Sequence, residues 1–77
     1  MITVKSVEAK DNYILKVTFQ DKKVKYFDMK PYLELPIYQE LKEKGKFEKV
    51  FVLYDTVSWP NGIDMDPETL YEDGFTL

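Results

Sequence analysis

The chain has 77 residues, a net charge of −3 and neither histidine nor cysteine. That length holds one domain, residues 1–77, and the missing residue types rule out disulfides, the usual zinc ligand sets and imidazole-based acid–base catalysis. All eleven cationic side chains are lysine, and an acidic chain without the guanidinium fork that reads guanine edges argues against direct binding of DNA or RNA.

The first half reads as antiparallel β. Ile2 and Val4 alternate with polar residues, the phase slips by one at Ser6, and Val7 and Ala9 continue, which predicts a β-bulge. Lys10-Asp11-Asn12 reads as a turn. Tyr13, Leu15, Val17 and Phe19 then alternate with Ile14, Lys16, Thr18 and Gln20, the clearest period-two run in the chain. Asp21-Lys22-Lys23 turns into a third strand over Val24 to Asp28, completing a meander, and Pro31 ends it because proline cannot donate to a ladder.

A helix is predicted from Pro36, with Leu33, Ile37, Tyr38 and Leu41 as its apolar stripe, Glu40 and Lys44 as an i,i+4 pair and Gly45 as a left-handed stop. Phe47 is expected to fold back onto it. Val50-Phe51-Val52-Leu53-Tyr54 is an unbroken apolar run and reads as the central, most buried strand. Asp55-Thr56 reads as a tight turn, Val57-Ser58-Trp59 as the returning strand, and Pro60 as its stop. Asn61-Gly62 is a strong turn signal. Asp66 as N-cap, Pro67 at the first helical position and Glu68 in the first turn open a short second helix, with Met65 and Leu70 spaced as a hydrophobic staple and Gly74 near its end. The class is therefore α+β, in the order β-β-β-α-β-β-α.

At 9.2 kDa the expected folded surface is about 4,900 Å², with roughly 60% of the unfolded surface buried. Such a thin core depends on its aromatics, 16% of the residues. Trp59, the one tryptophan, is expected to anchor it with its indole N–H bonded to a carbonyl; the competing reading is an interface hot spot. Six tyrosines cannot all be inside, and any exposed cluster would form a self-association surface, leaving a homodimer open.

Little chemistry is available. Ser6 and Ser58 have no imidazole to activate them, and three scattered glycines make no phosphate-binding loop, so no cofactor is implied. Asp64, Asp66, Glu68, Glu72 and Asp73 are dense enough to consider Ca²⁺ or Mg²⁺. A calcium loop starting at Asp64 would need glycine where Thr69 stands and glutamate where Phe75 stands. Helix capping accounts for Asp66, Pro67 and Glu68 together, so no metal ligands are assigned. The start, Met1-Ile2-Thr3-Val4-Lys5, lacks an apolar export segment, and no run approaches the roughly 20 residues of a membrane span; a cytoplasmic protein without membrane partners is expected.

The stretch from Trp59 through Asn61, Gly62, Asp64, Asp66, Pro67, Glu68, Leu70 and Tyr71 to Glu72 resembles the closing signature of a small bacterial family, domain of unknown function 2442. Val24 to Leu33 and Phe47 to Val50 resemble its weaker motifs, so the likeness spans nearly the whole chain. One departure is the turn Asp21-Lys22-Lys23, where an Asp-Gly type is expected. The resemblance implies a compact α+β domain with no catalytic residues to carry over. Some relatives carry a C-terminal helix-turn-helix; others stand alone beside toxin-like genes, and this chain is similar to the stand-alone type. Three functions follow as expectations. The first is a non-enzymatic protein-interaction domain, antitoxin-like, for a basic toxin-like partner. The second is a transcription-regulator domain acting on DNA directly or through a partner. The third is a metal-dependent enzyme using the Asp64–Asp73 segment.

Overall fold

The period-two run sets the architecture. In the computed structural model, which describes all 77 residues, strand β2 (Ile14–Phe19) lies at the centre of a three-stranded antiparallel sheet, between β1 (Val4–Lys10) and β3 (Val24–Asp28). Leu15, Val17 and Phe19 are fully buried on one face, as alternation demands. The predicted bulge is present: Val4 pairs with Phe19 and Ser6 with Thr18, so β1 carries one extra residue there. On the opposite face, with rows Ser6–Thr18–Val24 and Glu8–Lys16–Tyr26, no residue is buried, and Phe75 stacks on Tyr26 at 6.0 Å.

Both meander turns use left-handed residues other than glycine. Asn12 and Tyr13 have φ of 64° and 60°. Tyr13 therefore precedes β2 instead of starting it, and its ring meets Phe47 edge-on at 5.2 Å. In the second turn Lys22 has φ 76°, and the Asp21 carboxylate accepts the Lys23 N–H at 2.9 Å, a local bond that replaces the expected glycine.

The predicted first α-helix is instead a pair of 3₁₀ segments, Lys30–Glu34 and Pro36–Lys42. Leu35 between them is extended (φ −79°, ψ 136°), the conformation that a following proline favours. With three residues per turn, positions four apart no longer share a face. Leu33 and Leu41 are buried, but Ile37 is 61% exposed, against the predicted stripe. The Glu40–Lys44 pair does not form either: the chain becomes extended at Glu43, and Lys46 reaches Glu40 at 3.1 Å instead. Gly45 has the expected left-handed backbone, φ 80°, and Phe47 turns inward to be buried.

The run Val50–Tyr54 is not the central strand. It contributes a three-residue strand β4 (Phe51–Leu53), hairpinned to β5 (Thr56–Ser58) in a separate two-stranded sheet. Phe51 and Leu53 face solvent, whereas all three residues of β5 are buried. The turn is Tyr54-Asp55, one residue earlier than predicted, with φ of 51° and 66°. β4 runs beside β1, and the Val4 N–H donates to the Asp55 carbonyl at 2.9 Å, joining the two sheets.

The last segment closes the molecule. Asp64 bridges Ser58 and the Met65 N–H donates to the Val57 carbonyl at 3.0 Å, so residues 64–65 lie along the outer edge of β5. Helix α1 (Pro67–Asp73) crosses to β3, where Phe75 and Tyr26 exchange backbone hydrogen bonds of 2.7 and 2.8 Å. Gly74 is needed for close approach: a Cβ there would sit 2.6 Å from the Leu70 carbonyl oxygen and 2.9 Å from the Lys25 Cβ. Thirteen hydrophobic side chains form one core between the meander and these segments, and the total surface, 4980 Å², matches the size expectation.

Candidate functional site

The closing signature is the natural place to look for a site, and the fold uses many of its residues internally. Trp59 is buried in the core, its Nε1–H donating to the Phe47 carbonyl at 3.0 Å and its ring 6.1 Å from that of Phe47. Asn61 and Gly62 build the turn behind it. The Asn61 side-chain oxygen accepts the Ile63 N–H, Gly62 takes φ 89°, and the Trp59 N–H meets the Ile63 carbonyl at 2.9 Å. Met65 and Leu70 are both buried, with the spacing of the predicted staple. The Met65 carbonyl accepts the hydroxyl of buried Thr56, and the Asp64 carbonyl accepts that of Tyr38 at 3.0 Å. Burial, then the Asp64 charge, raises the Tyr38 phenol above its ordinary pKa.

Asp66 occupies the N-cap position, but its side chain bonds no backbone N–H. Its Oδ2 instead accepts the Thr69 hydroxyl at 3.1 Å. Pro67 stands at the first turn as predicted. The Tyr71 ring packs edge-on against Phe19 at 4.9 Å, with the Lys25 ammonium 5.4 Å from its centroid. Its hydroxyl donates to Asp21 Oδ2 at 2.9 Å, a bond that raises the tyrosine pKa. The same carboxylate is lowered, first by the Lys23 N–H.

Beside Trp59, a cleft of about 290 Å³ is lined by Glu40, Leu41, Lys46, Lys49, Trp59, Pro60 and Asn61. The Asn61 amide, then Lys46, holds the Glu40 carboxyl below its ordinary value. The polar groups at this opening are thus largely engaged with one another.

What the segment leaves free is charge. Residues 59–77 hold five carboxylates, Asp64, Asp66, Glu68, Glu72 and Asp73, and no lysine, a charge of −5; residues 1–58 hold eleven lysines against nine carboxylates, +2. All five side chains are exposed. The four ion pairs of the molecule use Glu8, Asp28, Glu34 and Glu40, so none of the five has a counter-ion. Nor do acidic residues gather in groups of three able to share a metal ion.

A second feature escaped sequence reasoning. Phe51, Leu53 and Tyr54 are 38%, 43% and 90% exposed along β4 and at its turn. An unbroken apolar run looks like a core strand; only the short distance from Val50 to the turn, too little for a long central strand, hints otherwise.

No helix is long and apolar enough to cross a membrane. No curated protein and no solved structure matches the chain. A family model described as "Protein of unknown function (DUF2442)" matches residues 4–76, from the first residue of β1 to the segment that covers β3, and the chain belongs to that family.

Proposed function

We propose that this domain is a non-enzymatic, cytoplasmic protein-interaction module for a basic protein partner, the mode of action of an antitoxin-like accessory subunit. The observation that carries the reading is the uncompensated charge of residues 64–73: five exposed carboxylates, no lysine within the last 19 residues, and no ion pair to any of them. Separating charge in this way gives a small acidic domain a directed field, which speeds encounter with a cationic surface and selects against acidic ones. The absence of histidine and cysteine from the sequence supports a binding role over a catalytic one.

The test is a pull-down from the cells that make the protein, followed by titration of the purified partner. The expected partner is basic and stoichiometric, and its affinity falls about tenfold in the variant D64N/E68Q/E72Q/D73N and at raised salt. Asp66 is left unchanged because Thr69 bonds to it. Recovery of no stoichiometric partner, or of one indifferent to both charge neutralisation and salt, would sink the reading.

A further inference from the structure

We propose that the tip of the β4–β5 hairpin, Tyr54 and Asp55 with Phe51 and Leu53 behind them, is the anchor by which the basic partner is gripped. This rests on the protein-interaction reading above and gives it a contact surface distinct from the acidic segment.

The first ground is strain at an exposed aromatic. A two-residue hairpin turn with both central residues left-handed favours Asn-Gly, because a Cβ is costly there. This chain places Tyr54 and Asp55 at φ 51° and 66°. A bulky residue held so is a conformational outlier, and such outliers concentrate at functional positions. The second ground is that nothing within the molecule uses the tyrosine. Tyr13, Tyr38 and Tyr71 donate their hydroxyls to other residues, and Tyr26 and Tyr32 pack on neighbouring rings. Tyr54 does neither and is 90% exposed. The third ground is rigidity: the Val4 N–H bond to the Asp55 carbonyl, at 2.9 Å, fixes the tip against β1. With the backbone already fixed, only the rotation of the Tyr54 side chain remains to be ordered on binding, which suits an anchor.

The chemistry of the tip selects its occupant. An aromatic face beside a carboxylate that takes part in no ion pair suits a lysine or arginine, and Phe51 and Leu53 suit an apolar cleft around that cation. A second copy fits poorly. A twofold axis through the tip would set Asp55 against Asp55, between chains that each carry −3.

Stability and binding are expected to move in opposite directions. Tyr54→Asn places a residue that tolerates the left-handed region and should raise Tm by about 2–6 °C. It should also weaken the purified partner at least tenfold, while Ile37→Asn, at another exposed apolar position, leaves affinity unchanged. A photo-crosslinking benzoylphenylalanine in place of Tyr54, expressed in the source cells, should give one discrete adduct with a basic protein. The anchor is overturned, and the basic-partner reading survives, if D64N/E68Q/E72Q/D73N weakens the partner but Tyr54→Asn stays within twofold of the parent. Both fall if neither variant changes affinity. An adduct of twice the chain mass would overturn the assignment to a different protein.

Discussion

Two apolar runs of similar size meet opposite fates. Residues 13–19 alternate, and three of their side chains, Leu15, Val17 and Phe19, are wholly buried in the middle of a sheet. Residues 50–54 are apolar without interruption, yet three of the five are more than one-third exposed, on a strand of three residues. Hydrophobic content alone would rank the second run as the more buried. Alternation tells each side chain which face to take, whereas an unbroken run gives no such instruction and is placed by its connections. Here those connections are the buried Phe47 on one side and a tight turn four residues after Val50 on the other.

The sharpest way to break that contrast is to truncate a phenylalanine in each run. Phe19→Ala should cost about 3–5 kcal/mol in urea unfolding, and Phe51→Ala less than about 1 kcal/mol; equal losses would return the second run to the core. The short hairpin runs directly into Trp59, the largest fully buried side chain of the molecule. Trp59→Ala should also cost about 3–5 kcal/mol, while Trp59→Phe, which strands the Phe47 carbonyl, should cost about 1–3 kcal/mol. A Trp59→Ala protein that melts normally but loses its partner would move this residue from core to interface. Gly74→Ala should cost about 1–3 kcal/mol through collision with the Leu70 carbonyl, and thermal melts at the parental value would show that the helix end yields freely. Pro67→Gly should cost about 1 kcal/mol through backbone entropy and a poorer helix start, measured in the same melts.

The smallest effect is the response to pH. Asp28 is partly desolvated, which opposes ionisation, but the Lys30 N–H and ammonium together hold its carboxyl below the ordinary value. Asp21 and Glu40 are lowered as well. The folded state therefore binds fewer protons than the unfolded chain. This contribution is present above the ordinary carboxylate pKa near about 4 and is lost as pH falls through the lowered values. Tyr71 works in the other direction: its contribution holds below about 10 and is lost as pH rises through its raised value. Both are screened by solvent and should be modest. Tm that stays flat from pH 7 to pH 2.5 would contradict the acid side.

Much of this architecture was legible because local signals agreed. The bulge at Ser6, the third strand at Val24–Asp28 and the burial of Met65 and Leu70 each rest on a short-range pattern, whereas the indole bond of Trp59, to a carbonyl twelve residues earlier, follows from its burial. The misreadings share a different origin. Ile37 and the Glu40–Lys44 pair were placed by α-helical spacing, and Pro31 and Pro36 broke that region into 3₁₀ turns with another period. The turn at Tyr54-Asp55 carries none of the residues that advertise a left-handed turn. The acidic segment was visible from the start, but its lack of counter-ions was not, because that depends on where lysines from elsewhere in the chain come to rest.

The path of the last segment has a consequence for synthesis. Two sheet edges, one on β5 and one on β3, are covered by residues 64–65 and by Phe75, which are made after the strands they cover. A nascent meander leaving the ribosome has strands ready to pair but a bare outer strand until Phe75 has emerged. Exposed edges invite pairing with other chains. During translation the molecule is therefore most vulnerable to aggregation in the interval before Phe75 emerges, and slow elongation through the closing signature would lengthen it.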